Sequence, residues 1–169
     1  MLDIINDLKP FFEDCYRRIN VREYSRIIKV SPPTASKLLS KYTKIKLLIS
    51  YKDKNYIFYY SNINSKDFIE LSRIYWRNKL LELLAHLNKR LLNPTIILFG
   101  SLSKAETKID SDIDLCILSH KKELNLSSFE KKFKRKFAIF FFKSINEIDN
   151  PELKNNIING YVLNGRIKL

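Results

Sequence analysis

Acidic residues are scarce in this chain. Eighteen Asp and Glu stand against 31 Lys and Arg, a formal charge of +13 with a pI near 9.7. That balance favours an anionic partner, nucleic acid first among them. The excess also has a bland reading. Lys far outnumbers Arg, and Ile and Asn are abundant, a mix that an A/T-rich genome produces by itself. Where the charges fall therefore carries more than their sum. Cysteine is nearly absent: Cys15 and Cys116 lie far apart with no C-x-x-C partner. This argues against a disulfide framework or a thiolate zinc site and for a reducing compartment. Both read as small buried apolar residues. Histidine is limited to His86 and His120, neither with a ligand partner nearby, and neither reads as a catalytic base. Long apolar runs are missing too. The longest, "FAIFFF" at 137–142, is far short of the roughly 20 residues a membrane helix needs. No basic-then-apolar leader opens the sequence. The expectation is a soluble, cytoplasmic protein with no membrane partner. What is present is enough apolar residue, 45% of 169, for a packed core in one domain or two small ones.

The first 65 residues read as three helices followed by two short strands. "LDIINDLKPFFEDCY" carries apolar residues at helical spacing, with Pro10 starting or kinking a turn within it. "VREYSRIIKV" is a short second helix. In "SPPTASKLLSKY", Ser31 suits the N-cap and Pro32 the first helical position, where a missing N–H costs nothing. Ala35, Leu38, Leu39 and Tyr42 are expected to face inward, and Pro33, Thr34, Ser36, Lys37 and Lys41 outward. "IKLLISY" and "NYIFYY" flank the turn "KDKN", a hairpin by composition. Residues 15–60 in this order resemble a winged helix-turn-helix domain. The resemblance implies a helix over 32–41 in the major groove of DNA and a wing at 51–56. Its DNA-contacting residues would be Pro33, Thr34, Ser36, Lys37, Lys41, Lys52 and Lys54. Between residues 17 and 54, eleven Lys or Arg stand against Glu23 and Asp53. Winged helices that mediate only protein contacts remain the alternative.

Residues 66–92 predict one long amphipathic helix with an apolar stripe of Phe68, Leu71, Ile74, Tyr75, Leu80, Leu83, Leu84 and Leu87. Asn93-Pro94 ends it, and Trp76 reads as core or interface packing. "TIILF", 95–99, is a buried strand by its continuous apolar character. Gly100 then permits a sharp turn and close approach of backbone to a ligand. Ser101 stands beside backbone N–H groups at an expected helix start, a sensible place for a phosphate. "DIDLCIL" reads as the next strand. Alternation places Asp112 and Asp114 on one face, and two carboxylates so placed repel unless a cation lies between them. Mg²⁺ suits such oxygen donors and keeps waters and phosphates as further ligands. The pair alone is a weak signal. A strand, a Gly-Ser turn and the pair eleven residues later is a much more specific one.

"GSLSKAETKIDSDIDL" resembles the GSxARGxxxxxSDIDL motif of minimal nucleotidyltransferases in the DNA polymerase beta superfamily. The resemblance covers about residues 93–169, and "NPELKNNIINGYVLNG" is similar to the end of archaeal members with an N-terminal winged helix. It implies that Gly100, Ser101, Lys104 and Ser111 hold a nucleoside triphosphate, ATP by default, and that Asp112 and Asp114 bind one or two Mg²⁺ ions. The reaction implied is transfer of a nucleoside monophosphate to a hydroxyl with release of pyrophosphate. Two departures stand out. Ser103, Lys104 and Ala105 replace Ala-Arg-Gly, and Lys lacks the bidentate fork of Arg. Active members place a further acid on a later strand. The corresponding strand here, within 136–142, has none; Glu147, Asp149 and Glu152 lie beyond it, and Asp110 precedes the pair. The basic run "KKFKRKF", 131–137, reads either as a grip for phosphates or as a solvated helix face.

The fold expected is α+β: a winged helix-turn-helix over 1–65, a connecting helix over 66–92, and a nucleotidyltransferase-like α/β domain with a mixed sheet over 93–169. The function expected is Mg²⁺-dependent nucleotidyl transfer to a protein or nucleic-acid hydroxyl, with DNA bound by the N-terminal domain. The resemblance also implies an antitoxin-type role with a HEPN-type helical partner. The alternative is a DNA-binding regulator that binds a nucleotide or a partner with little or no turnover, which the missing acid favours.

Overall fold

The structure is a computed structural model that describes residues 2–167. It contains two compact units. One holds the chain up to Tyr75 together with Ala105–Ile109; the other holds Trp76–Lys104 and the chain from Asp110 onward.

Among the described residues, the first unit contains α1 (Leu2–Glu13), β1 (Ile19–Asn20), α2 (Val21–Ile28), α3 (Pro32–Lys44), β2 (Leu48–Asp53) and β3 (Tyr56–Ser61). Pro10 lies inside α1. Asn20 caps α2 by accepting the Glu23 N–H, and Ser31 caps α3 by accepting that of Thr34, with Pro32 as the first helical residue. The tight α2–α3 connection runs from the α2 C-cap Lys29, in the left-handed region (φ 58), to the α3 N-cap Ser31. Phe11, Phe12, Ile19, Tyr24, Ala35 and Leu39 are fully buried at the centre of this unit. Each large side chain there contributes about 1.5–3 kcal/mol on burial. Leu38, expected inside, is only half-buried. The hairpin β2–β3 turns at Lys54-Asn55, and β3 also pairs antiparallel with β1, giving the order β1-β3-β2.

The single helix expected over 66–92 is two: α4 (Lys66–Lys79) and α5 (Leu81–Arg90). Leu80 breaks the helical path with φ −91 and ψ 2. Hydrogen bonds continue through the break, from the Leu80 N–H to the Trp76 carbonyl and from the Leu84 N–H to that of Leu80. Periodicity reads straight through such a corner, because one non-helical residue hardly disturbs the spacing of the stripe. Phe68, Tyr75, Leu80, Leu83, Leu84 and Leu87 are buried as expected, whereas Leu71 and Ile74 are half-buried.

The second unit is built on a mixed four-stranded sheet of order β6-β5-β4-β7. Its strands are β4 (Thr95–Phe99), β5 (Ile113–Leu118), β6 (Phe137–Phe142) and β7 (Tyr161–Asn164), with the helices α6 (Gly100–Lys104), α7 (Ser127–Phe133) and α8 (Pro151–Ile158). The central strand β4 pairs antiparallel with β5 and β7, and β5 pairs parallel with β6. Ile97, Phe99 and Cys116 on one sheet face join Ile145, Ile148 and Ile157 in a core that also takes in Phe140 and Phe142. Ile96, Leu98, Leu115 and Ile117 alternate to the other face and are fully buried too. Both faces of β4 and β5 are therefore covered, which is why these strands read as unbroken apolar runs. No helix among the described residues is long and apolar enough to cross a membrane.

Candidate functional site

The end of β4, the start of β5 and the turn between β4 and α6 converge on one point. In the β4–β5 ladder Phe99 is the partner of Asp114. The next residue, Gly100, turns the chain out of the sheet with φ 68. That left-handed conformation favours glycine, and a second reason for glycine lies in the packing. A β-carbon at this position would fall 2.1 Å from Asp114 Oδ2 and 3.0 Å from its Cγ. The carboxylate thus lies directly over the glycine α-carbon, in space no side chain can share.

Asp114 stands on the face of β5 that continues inward as Cys116, so it forms the polar rim of the apolar core. It is half-buried, while Asp112, just ahead of the strand, is exposed. Burial, with the charge of Asp112 as a second cause, raises the Asp114 pKa above its ordinary value of 3.8. Two such oxygen donors fit one divalent ion that completes its shell with waters or phosphate oxygens. They do not fit a site needing a third carboxylate. The parallel register sets Ala138 beside Asp114 and Phe140 beside Cys116, so a methyl group stands where a third acid on β6 would reach the pair. Glu147 accepts a hydrogen bond from the Lys143 N–H at the far end of β6. Among the described residues no group of three His, Cys, Asp or Glu side chains gathers.

The other expected nucleotide residues are placed as follows. Ser101 follows Gly100 in the short helix α6 and is partly exposed. Lys104 ends α6 with its ammonium donating to Asn156 Oδ1 of α8 at 2.9 Å. Ser111 contributes its backbone, because its carbonyl accepts a hydrogen bond from the Arg135 guanidinium. Ala105, at the place of a motif glycine, adopts φ 57 while fully buried; it belongs to the first compact unit.

Arg135 is a functional candidate that sequence reasoning missed. It sits third from the end of "KKFKRKF", where it looks like any other charge of a solvated run. It is in fact buried, with its guanidinium carbon 5.3 Å from the centre of the Trp76 ring. Its bond to the Ser111 carbonyl anchors the chain one residue before Asp112. The rest of the run divides between roles: Phe133 is buried, Lys134 caps α7 in the left-handed region, and Lys132 pairs with Glu82. No sequence signal separates Arg135 from Lys131 or Lys136. Neither cysteine is a reactive thiol: burial pushes Cys15 up to about 11 and Cys116 to about 12.

In the first unit, Pro33, Thr34, Lys37 and Lys41 are exposed on α3, and Lys52 and Lys54 are exposed on the hairpin. Ser36 is half-buried. The Thr34 hydroxyl lies 2.8 Å from that of Ser31, and the Lys41 ammonium rests 5.5 Å from the centre of the Tyr42 ring.

Residues 78–166 match the sequence profile of the family described as Polymerase beta, Nucleotidyltransferase. No curated protein and no solved structure matches the chain. The profile takes in the whole of the mixed sheet, the Gly100 turn and the acid pair, more than half of the 169 residues, and the chain belongs to the polymerase beta nucleotidyltransferase family.

Proposed function

We propose that the second unit binds a Mg²⁺-nucleoside triphosphate and transfers its nucleoside monophosphate to a hydroxyl on a protein or nucleic-acid acceptor. The observation that carries this reading is the Asp114 carboxylate lying over Gly100 with Asp112 close enough to raise its pKa. Gly100 and Ser101 would then line the phosphates, and Asp112 and Asp114 would hold the ion, which would supply charge neutralisation at the reacting phosphorus. In the transfer, the acceptor oxygen bonds to the α-phosphorus as the bond to pyrophosphate breaks. The hydroxyl proton passes to water or to a carboxylate of the pair. Lys104, released from Asn156, is within this chain's means as a further phosphate contact, and the Ser111 backbone positions the pair.

A second reading has its own support. Ala138 beside Asp114 removes the natural place for a general base, which favours nucleotide binding with slow turnover or none. Labelled ATP with Mg²⁺ and candidate acceptors, HEPN-type helical proteins among them, separates the two. Label transfer abolished by Asp112→Asn/Asp114→Asn supports the enzyme. Bound nucleotide without transfer, lost in the same variant, supports the sensor. No binding at all overturns both.

For the first unit the proposed role is DNA binding by a winged helix-turn-helix. Its support is the order α2, tight turn, α3, β-hairpin, with Lys37 and Lys41 exposed on α3. Duplex affinity that falls steeply with salt, and falls further in Lys37→Ala and Lys41→Ala, is the expected result. Salt-independent binding, or affinity unchanged in both variants, would count against it.

A further inference from the structure

The small sheet of the first unit buries the base of one face and leaves aromatic side chains of the other partly or fully exposed. Ile19, Leu48, Tyr59 and Ser61 point inward and are buried. Their neighbours in sequence alternate outward, and they are aromatic: Tyr51, Tyr56, Phe58 and Tyr60 are all partly or fully exposed. The pairing aligns them, since Tyr51 is opposite Phe58, Asp53 opposite Tyr56, and Ile49 opposite Tyr60. The rings form one contiguous surface. Tyr51 and Phe58 stack with centroids 5.6 Å apart and planes 23° apart. Tyr60 meets Tyr51 edge-on at 6.0 Å, and Tyr56 lies 6.5 Å from Phe58. The Arg18 guanidinium sits 5.2 Å above the Tyr51 ring and donates to its hydroxyl at 3.2 Å. An open cavity of about 480 Å³ runs alongside, walled by Tyr51, Tyr60, Arg18, Tyr16 and Asn64. The Lys108 ammonium stands over the Tyr16 ring, 5.8 Å from its centre.

Exposed aromatic patches of this kind are uncommon unless something binds them. We infer that the outward face of the β1-β3-β2 sheet is a stacking platform for the unpaired bases of single-stranded nucleic acid. Three features favour this occupant over an apolar protein surface. Three of the four rings are tyrosines, whose hydroxyls keep the patch wettable when empty. A guanidinium already stacked on one ring supplies a planar cation beside the platform, the combination that single-strand binders use. The segment carrying the face is strongly basic, with eleven Lys or Arg between residues 17 and 54 against Glu23 and Asp53, and Glu23 is paired with Arg17. From Tyr56 to Tyr60 the strand covers roughly 13 Å, enough for two or three bases stacked on sheet aromatics. The residues of this face are other than the acid pair and the exposed residues of α3, so the inference is tested independently of both.

The test uses the full chain and fluorescence anisotropy with labelled single strands of RNA and of DNA, about 12 nucleotides each, beside a duplex of the same length. The double variant Tyr51→Ala/Tyr60→Ala is expected to bind either single strand about tenfold more weakly or worse. Its duplex affinity should fall less than its single-strand affinity, because the α3 residues Lys37 and Lys41 are untouched. Tyr51→Phe, which keeps the ring, is expected to bind single strands like the parent, and circular dichroism checks that each variant is folded. RNA bound better than DNA identifies a contact to the 2′-hydroxyl; equal binding identifies stacking and phosphate contacts alone. Three results would overturn the inference: no single-strand binding by the parent chain, equal binding by the double variant, or a concentration-dependent dimer that the double variant abolishes. The last would assign the face to a second copy of this chain.

Discussion

The Asp114 carboxylate occupies the space where a side chain at residue 100 would begin. A β-carbon there falls 2.1 Å from Oδ2, and the backbone at Gly100 already has φ 68. Gly100→Ala therefore meets two penalties: about 1–2 kcal/mol for the left-handed conformation, and displacement of the carboxylate. The double variant Gly100→Ala/Asp114→Ala relieves the second and not the first. Denaturant unfolding of both singles and the double should show a loss smaller than the sum of the singles. Strict additivity would mean that the clash is relieved elsewhere.

The raised pKa of Asp114 sets a pH dependence with a definite sign. The folded chain holds this proton more tightly than the unfolded chain does. Stability of the ion-free protein therefore falls as pH rises from the ordinary 3.8 through the folded pKa, and is flat above it with respect to this group. Asp114→Asn removes the ionised group and should raise the melting temperature at neutral pH without a divalent ion. Adding Mg²⁺ should reverse the order, stabilising the parent by about 1.4 kcal/mol at ten times its Kd and the variant not at all. Mg²⁺ affinity should weaken as protons compete in the acid range. An Asn variant less stable than the parent without Mg²⁺ would contradict the assigned burial cost.

Ala138 is the β6 residue set beside Asp114. Ala138→Asp adds a third oxygen donor to the pair. It is expected to tighten divalent-ion binding and to raise any nucleotidyl transfer by about tenfold or more, since a single ligand or base often governs orders of magnitude in rate. Without the ion it should destabilise the fold, because a third carboxylate joins two that already repel. Isothermal titration with Mg²⁺ or Mn²⁺ and the labelled-ATP assay read both effects.

Arg135 acts through Ser111. Its guanidinium lies on Trp76 and donates to the carbonyl preceding Asp112. Arg135→Lys keeps the charge but loses the planar stack and fork. The expected result is a loss of about 2 kcal/mol in stability, within the range for hydrogen bonds to charged groups, together with weaker Mg²⁺ binding. Equal Mg²⁺ affinity in a destabilised variant would reduce Arg135 to a packing role.

Ala105 pays for the left-handed region (φ 57) without the freedom of glycine. Ala105→Gly should stabilise the protein by about 1 kcal/mol or less, the conformational relief being partly offset by the greater entropy of an unfolded glycine. Thermal unfolding would show the change.

The local geometry around Gly100 and Asp114 was legible in the residues themselves. A continuous apolar strand, a glycine at the turn and two acids in alternation specify a local geometry, because strand period and glycine's freedom are properties of short stretches. The N-caps Ser31 and Asn20 act over three residues, and Ser31 with Pro32 could be read directly. The break at Leu80 could not, because a corner of one residue leaves the period of the stripe intact. Arg135 and Ala138 could not either. Whether an arginine in a basic run is solvated or laid on a tryptophan depends on a ring some sixty positions away. Which residue of an apolar strand stands beside Asp114 depends on parallel register, which no short stretch contains. The chain's own order of residues thus determined the acid pair, the Gly100 turn and the basic character of the first unit, all of them local. Tertiary structure alone decided that the Asp114 carboxylate fills the space above Gly100, that a methyl group takes the neighbouring position on β6, and that the aromatic side of the hairpin faces outward. Each of these is set by pairing and burial between segments distant in the chain.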